Sequence, residues 1–275
     1  MANATKAATA KKENSGSSIF ASLSIVVCIL VGLLLWKFVM GNAANFEGGD
    51  PENGHPLPGN YFGMVYKGGF VVPVLMGLFL MVVVFSFERY FVINKSAGKG
   101  NVDAFVKKVQ SLLSAGNIDA AISECDKQEG SVANVIKSGL KKYQEMESER
   151  NMDTEQKCLA IQKDIEEATA LEMPMLEQNL TVIATLVSIG TLMGLLGTVT
   201  GMIKAFSAIA TAGAPDQSQL ANGISEALIN TATGISTSAL AIIMYNVFTS
   251  KIDKLTYSID EAGFSIVQTY ASTHK

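Results

Sequence analysis

Charged residues are scarce in this chain, and the scarcity is unevenly distributed. Only 17% of the 275 residues are charged, whereas 48% are hydrophobic. A soluble globular domain usually carries about a quarter charged residues. The charges are sparse in four long apolar runs and crowd between them. This distribution excludes an ordinary soluble domain and is typical of a polytopic membrane protein.

The chain also lacks an excess of basic charge and any cluster of metal-binding or nucleophilic side chains. The formal net charge is −4 and no dense basic stripe is present, which argues against a nucleic-acid partner. Cys28, Cys125 and Cys158 show no disulfide or metal-site spacing, and His55 and His274 lie far from any cysteine or carboxylate cluster. With no nucleophile–base pair or phosphate loop, the sequence predicts neither an enzyme nor a bound cofactor.

The four apolar runs are each long enough for a helix that crosses a bilayer, which needs about 20 residues. The third run is interrupted by one charge, Lys204, and the fourth by Glu226. We therefore expect an all-α membrane protein with four transmembrane helices, the last two forming a long hairpin. The predicted spans are residues 19–40, 70–87, 180–209 and 220–250.

Lysine and arginine in the short flanking segments predict the orientation of these helices. Residues 1–18 and 88–108 carry three and five basic residues, and Lys251 and Lys254 follow the last span. Residues 41–66 and 210–219 carry none. Both termini and residues 88–178 are therefore expected in the cytoplasm, and 41–66 and 210–219 outside.

The first apolar run has a second interpretation, as a signal peptide cleaved near Ala44. Its length exceeds the 7 to 15 apolar residues that are usual in such a signal, which favours an uncleaved anchor. Cleavage would remove one span and residues 1–44 while leaving the remaining topology unchanged.

Between the second and third spans the pattern is helical, with breaks at Gly116-Asn117 and Glu129-Gly130. No clear capping box is found at Thr154. The last helix contains Pro174, and we expect it to run on into the third span. The domains predicted are an N-terminal span and outside loop (1–66), a second span (67–91), a cytoplasmic helical segment (92–178), a hairpin (179–250) and a cytoplasmic C-terminal helix (251–275).

The fourth span opens with a carboxylate in GISEALINTATGIST, residues 223–237. A charge within a bilayer costs about 2.5 to 3.5 kcal/mol on insertion scales, so Glu226 needs a reason. On a helix, Asn230, Thr233 and Thr237 share its face at spacings of four, seven and eleven residues. The hairpin therefore carries a polar stripe with Glu226 as its one acid.

Beside this stripe the hairpin carries small residues at helical spacing. Glycines spaced in this way let two helix backbones approach closely within lipid. We expect the two helices of the hairpin to pack through Gly194, Gly197, Gly201 and Gly234.

Two interpretations of Glu226 compete. In the structural one, the carboxylate snorkels to the outer interface or pairs with Lys204, and the protein is a passive membrane scaffold. In the functional one, Glu226 and the threonine oxygens line a path for ions.

Two segments of the hairpin resemble the signatures of the MotA/TolQ/ExbB proton-channel family. They are LMGLLGTVTGMIKAFSAIA, residues 192–210, and GISEALINTATGISTSALAIIMYNVF, residues 223–248. The resemblance is close over residues 176–250, looser back to residue 70, and strongest toward the ExbB members. An extra span at the N-terminus and the charge of Lys204 depart from the usual family pattern.

The resemblance implies a proton-driven motor of the bacterial inner membrane that powers active transport across the outer membrane. It implies a homo-pentamer around the single-span helices of an ExbD-like dimer, acting through a TonB-like protein. The family's pore positions fall on Thr198, Glu226 and Thr231, and Asn230 is retained as a lesser candidate from the polar stripe. The family's proton-carrying acid usually lies on ExbD, which would make Glu226 a wall or rim residue and Lys204 its possible pair.

The transported ion is expected to be H⁺ from the resemblance, and threonine oxygens would also suit Na⁺. A TolQ-like role or another envelope or gliding motor is the alternative within the same family. The passive scaffold remains the alternative outside it.

Overall fold

The computed structural model describes residues 22–52, 54–212 and 217–274. These residues form helices and a single isolated antiparallel bridge, between Phe46 and Pro56, and no strand. The prediction of an all-α fold is therefore confirmed. Residues 19–21 of the predicted first span and residues 213–216 of the predicted hairpin tip lie outside the described residues.

Nine α-helices and two short 3₁₀ helices follow one another in the described residues. The 3₁₀ helices are Ala43–Asn45 and Glu47–Gly49. The α-helices are α1 Ser22–Met40, of which the last six residues, Leu35–Met40, are π-helical, α2 Tyr61–Tyr66, α3 Val71–Ala97, α4 Val102–Ser114, α5 Ile118–Gln128, α6 Gly130–Ser148, α7 Thr154–Glu177, α8 Leu180–Ala212 and α9 Gln217–Thr273. Four helical stretches, containing α1, α3, α8 and α9, are long and apolar enough to cross a membrane, which confirms the predicted number of spans.

The described residues divide into two compact units. The first, here called the hairpin unit, comprises the described residues up to Ser86 together with Thr181–Tyr245. The second, here called the bundle unit, comprises Phe87–Leu180 and the described residues from Asn246 onward.

In the hairpin unit, α1 and α3 approach closely at a pair of glycines. A methyl group added at Gly32 would lie 2.7 Å from the Pro73 carbonyl oxygen, so only glycine permits this crossing. Near the end of α1, the Trp36 ring stacks on the Tyr66 ring with 4.7 Å between centroids, and its indole N–H donates to the Tyr66 carbonyl oxygen at 3.3 Å. These contacts tie α1 to α2 and α3.

In the bundle unit, α4 to α7 and the C-terminal part of α9 enclose a core of large apolar side chains. The predicted breaks are confirmed: Asn117 caps α5 through its side chain, and Glu129 adopts φ +57° between α5 and α6. In these helices the apolar residues that recur at helical spacing lie on the buried face, as their period predicts. Fully buried core residues include Val109, Ile136, Leu140, Ile161, Ile259, Ile266 and Tyr270.

The start of α7 differs from the sequence analysis. Its cap is Asp153, whose carboxylate accepts from the Gln156 backbone N–H at 2.7 Å, while the Gln156 side chain accepts from the Asp153 N–H. This is a capping box in which glutamine takes the position of the third helical residue. The residues that follow Thr154 do not show this capping box, because the cap lies one residue earlier, at Asp153.

The expectation that the helix containing Pro174 runs on into the third span is wrong. The helix ends at Glu177, and Asn179 adopts φ +61° before α8 begins. Asparagine is one of the few residues that accept a left-handed conformation, so Asn179 can end the helical path here. The last carbonyl groups of α7 then have no intrahelical donor and need other partners.

A buried arginine supplies donors at this helix end. Arg89 Nη1 donates to the carbonyl oxygens of Met175 and Leu176, each at 3.1 Å, and the guanidinium also binds the Glu88 carboxylate. Only 2% of Arg89 is exposed. In the sequence, Arg89 indicates only orientation, as one of the five basic residues of 88–108, because nothing nearby in the chain indicates its distant partners.

Candidate functional site

The site is built on the crossing of α8 and α9 in the hairpin unit, where backbone lies against backbone. A methyl group at Gly194 would lie 3.1 Å from Gly234 Cα, and one at Gly201 would lie 2.8 Å from the Ala227 nitrogen. A methyl group at Gly197 would meet the Asn230 side chain. The structure thus places all four glycines named from the sequence at this crossing, where they bring the polar side chains of the two helices together.

Thr198 of α8 and Thr231 of α9 meet across this crossing. Their hydroxyl oxygens are hydrogen-bonded to each other, and both residues are half-buried. Each hydroxyl also lies 3.1 Å from a carbonyl oxygen of its own helix, that of Gly194 or Ala227. The two hydroxyl protons can make only two of these three contacts at a time, so the pair has alternative proton arrangements.

Glu226 and Lys204 form the second polar pair at the crossing. Lys204 Nζ donates to Glu226 Oε1 at 2.7 Å. Only 8% of Glu226 is exposed, whereas 58% of the Lys204 side chain is exposed in the single chain. A carboxylate at this depth is satisfied by a cation reaching in from a more open position, as intramembrane charges require.

Asn230 is the third polar residue and is completely buried. Its side-chain NH₂ donates to the Gly68 carbonyl oxygen at 2.9 Å, while its Oδ1 has no hydrogen-bond partner. This contact reaches the turn before α3, a partner that helical spacing does not predict. The double glycine at residues 68 and 69 indicates a turn in the sequence, but not where the turn packs.

The remaining threonines of the polar stripe are bonded within their own helix. Thr233 donates to the Ile229 carbonyl oxygen at 2.8 Å, and Thr237 donates to the Thr233 carbonyl oxygen at 2.9 Å. Their hydroxyl protons are thus used locally, which leaves Glu226 and Asn230 as the members of the stripe with partners on other segments. Outside the stripe, Thr191 Oγ1 donates to Ser238 Oγ across the crossing at 2.9 Å, as a further polar pair beside Thr198 and Thr231.

The two pairs are separate along the hairpin. Thr231 lies five residues after Glu226 on α9, a rise of about 7.5 Å. Among the described residues, no hydrogen bond joins the threonine pair to the Glu226–Lys204 pair. A proton or ion passing between them needs water or a group from another chain.

The donor set does not suit a metal ion. The described residues contain no group of three or more histidine, cysteine, aspartate or glutamate side chains that could hold one. The chemistry available at the crossing is therefore hydrogen bonding by hydroxyl and amide groups beside one ion pair.

Comparison with known proteins identifies the sequences that this chain is similar to. A sequence model described as the MotA/TolQ/ExbB proton channel family matches residues 127–261. The Tol-Pal system protein TolQ of Pseudomonas aeruginosa is 27% identical over 159 residues, which cover 58% of this chain and 69% of that protein.

Two further relatives carry the ExbB name. The ExbB-like 3 biopolymer transport protein of Synechocystis sp. is 35% identical over 88 residues, 31% of this chain and 42% of that protein. The biopolymer transport protein ExbB of Salmonella typhimurium is 31% identical over 85 residues, 31% of this chain and 35% of that protein. These two matches span less than half of the relatives' own length.

Proposed function

Because this chain belongs to the MotA/TolQ/ExbB proton channel family, we propose that it is the ion-conducting subunit of an energy-transducing complex in the bacterial inner membrane. The observation that carries the proposal is the meeting of Thr198 and Thr231 across the α8–α9 crossing. These threonines come from the two segments that resemble the family signatures, and they form one hydrogen-bonded pair.

The threonine pair supplies an adaptable wall for a proton path. Because each hydroxyl can donate either to the other hydroxyl or to a carbonyl oxygen of its own helix, one hydroxyl can turn toward a passing water or carboxyl group while the other still donates to it. The ion pair of Glu226 and Lys204 adds no net charge to the wall. The proton itself would then be carried by an acid of the partner subunit, with Glu226 as a rim residue.

The proposed assembly is a homo-pentamer around an ExbD-like single-span dimer, which acts through a TonB-like protein on outer-membrane transport. The exposed surface of α8 supports an assembly within the membrane. Leu192, Leu195, Val199 and Ile203 are each more than half exposed in the single chain. Such a surface must be covered by lipid or by neighbouring chains.

The driving force is sufficient for such a motor. One elementary charge crossing 100 mV releases about 2.3 kcal/mol. This amount biases a two-state equilibrium by more than tenfold, so several protons in each cycle would be needed for larger mechanical work.

A TolQ-like role is the second candidate. The match to the Pseudomonas aeruginosa TolQ covers 69% of that protein, a larger share than the matches to the two ExbB relatives named above. Complementation separates the two roles. The chain, expressed with its neighbouring single-span gene, should restore energised uptake in a strain lacking ExbB and leave a TolQ-deficient strain unrescued.

Native mass spectrometry of the detergent-extracted complex, co-expressed with that single-span gene, tests the assembly. We expect five copies of this chain with two of the partner. A monomer or dimer without a partner would contradict the motor and favour the passive scaffold, in which Glu226 and Lys204 are only a structural pair.

A further inference from the structure

The turn formed by Lys67, Gly68 and Gly69, here called the glycine turn, reaches the ion pair from the segment before α3. Asn230 binds the Gly68 carbonyl oxygen at 2.9 Å. A methyl group added at Gly68 would lie 2.9 Å from Ile229 Cγ2. The turn is therefore packed directly on the face of α9 that carries Glu226.

Gly69 lies against the Glu226 carboxylate itself. Its φ is +80°, a conformation that L side chains rarely adopt. A methyl group added at Gly69 would also collide with the carboxylate, at 2.7 Å from Glu226 Cδ. Glycine is thus required at this position both by backbone conformation and by contact.

The carboxylate is consequently enclosed on two sides. Lys204 reaches one oxygen from α8, and Gly69 lies against the group from the turn. The result is the low exposure of Glu226, 8%, on a hairpin whose surface is otherwise largely open in the single chain.

The glycine turn is anchored to the segment that precedes it. Lys67 Nζ donates to the Glu52 carbonyl oxygen at 2.8 Å and lies 5.6 Å from the centre of the Phe46 ring. The neighbouring Tyr66 stacks on Trp36 of α1. A continuous set of contacts therefore connects residues 41–66 with the carboxylate of Glu226.

We propose that the glycine turn is a cap on Glu226, which holds the carboxylate against Lys204 and limits its access to water and ions. In this proposal Gly69 and Asn230 are positioning residues for the ion path. By covering Glu226, the cap would close the outer end of the ion path, and this part rests on the proposed function. The protection of the carboxylate does not rest on it.

The cap is tested by the rate at which a water-soluble carbodiimide modifies Glu226 in the purified full-length chain, followed by peptide mass mapping. In the wild type, Glu226 should react more slowly than the exposed Glu52. Gly69→Ala and Asn230→Ala should each accelerate modification of Glu226 by about tenfold, which corresponds to about 1.4 kcal/mol of lost protection.

Gly59→Ala is the matched control for Gly69→Ala. Gly59 has φ +79°, and an added methyl group there would meet nothing within 4 Å. Both substitutions therefore impose the same backbone strain, but only Gly69→Ala disturbs the carboxylate. The control should leave the modification rate of Glu226 at the wild-type value.

Unchanged Glu226 modification in both Gly69→Ala and Asn230→Ala would overturn the cap, as would equal acceleration in Gly59→Ala. Circular dichroism and gel filtration identify a variant that fails to fold, and Asn230→Ala keeps the test decisive if Gly69→Ala does. The assay needs no partner or membrane potential. If the proposed motor function is contradicted while Glu226 modification changes as expected, the cap proposal therefore still stands.

Discussion

The hairpin unit and the bundle unit hold their helices together by opposite means. In the hairpin unit, α8 and α9 meet through glycines, with Gly194 against Gly234. In the bundle unit, large side chains such as Leu140, Ile161 and Ile266 fill the interior. Within lipid there is no hydrophobic driving force between helices, so close backbone packing and polar contacts hold them together. In water, the hydrophobic effect drives apolar side chains into a core.

The same contrast governs where polar groups lie. The hairpin unit buries Glu226 and Asn230 and exposes Leu192, whereas the bundle unit mostly exposes its charges. Arg89 is the exception in the bundle unit, because it is buried with a carboxylate and two carbonyl groups as partners. A buried charged side chain in either unit, Glu226 or Arg89, therefore marks a place where a specific contact, and not bulk burial, determines the structure.

The largest expected loss of stability comes from Arg89. Arg89→Ala leaves the Glu88 carboxylate and two helix-end carbonyl groups without their donor, and removal of one partner of a buried ion pair costs about 3 to 5 kcal/mol. Thermal unfolding of the detergent-solubilised chain measures the effect. Lys163→Ala is the control, since the Lys163–Glu167 pair is exposed and worth less than about 1 kcal/mol. Equal effects in the two variants would contradict the role of Arg89.

The next prediction separates function from stability in the hairpin unit. Thr198→Val and Thr231→Val keep the side-chain shape but remove the hydroxyl pair, so each should abolish proton-driven activity while costing about 1 kcal/mol of stability. Thr185→Val is the control, because Thr185 bonds only within α8, to the Thr181 carbonyl oxygen. Activity is measured by complementation, and assembly by native mass spectrometry. Normal activity in both Thr198→Val and Thr231→Val would contradict the proposed path.

Glycine substitutions test the two packing modes directly. Gly234→Ala would place a methyl group 2.6 Å from the Gly190 carbonyl oxygen, so the backbones must separate, at a cost of about 1 to 3 kcal/mol. Gly263→Ala in the bundle unit meets only the Ile165 side chain, at 3.2 Å, which can adjust. The melting temperature of Gly234→Ala, measured by thermal unfolding, should therefore be well below that of Gly263→Ala. The reverse order would contradict the contrast between the two units.

Thiol reactivity tests the core of the bundle unit. Burial raises the pKa of Cys125 to about 12. At pH 8 only about one thiol in ten thousand would then be ionised, so Cys125 should resist alkylation until the chain unfolds. Because the folded pKa is raised, the native state should lose stability as the pH rises from about 9 toward 12. Alkylation of Cys125 is measured by mass spectrometry. Rapid alkylation in the native protein would show that solvent reaches this core, contrary to the prediction.

The smallest effect is expected at Glu124 of the bundle unit, which forms ion pairs with the exposed side chains of Lys108 and Lys127. Hydrogen bonds from Lys108 and Lys127 lower the pKa of Glu124. A lowered folded pKa contributes stability above the ordinary carboxyl pKa, and this contribution is lost as the pH falls through the folded value. Glu124→Gln should slightly flatten the acid side of the stability profile measured by thermal unfolding. A profile steeper than that of the wild type would contradict this assignment.

The parts of the fold that could be predicted are those determined by neighbours along the chain. Apolar length identified four spans, and the breaks at Asn117 and Glu129 followed from turn chemistry. The break at Asn179 was missed because a proline inside a helix is compatible with either a kink or an end. The end of α7 is stabilised in part by hydrogen bonds from Arg89 to its last carbonyl groups, and Arg89 is 86 positions away from Met175 in sequence.

The candidate site divides in the same way. Spacing on a helix placed Glu226 and Asn230 on one face, and the resemblance to the family signatures indicated Thr198 and Thr231. The sequence left open whether Glu226 pairs with Lys204, and it did not indicate the contact with Gly69 at all. Helical spacing describes one helix at a time, whereas these contacts depend on which segments cross.

Hydrophobicity and helical period are local properties of the chain, so they suffice to identify a helical membrane protein with a polar stripe on its last long helix. The meeting of Thr198 with Thr231, the binding of Glu226 by Lys204 and the enclosure of that carboxylate by the glycine turn depend on the tertiary structure. Those contacts join residues 22 to 162 positions apart, and their geometry is set by how closely glycines allow the helices and the turn to approach.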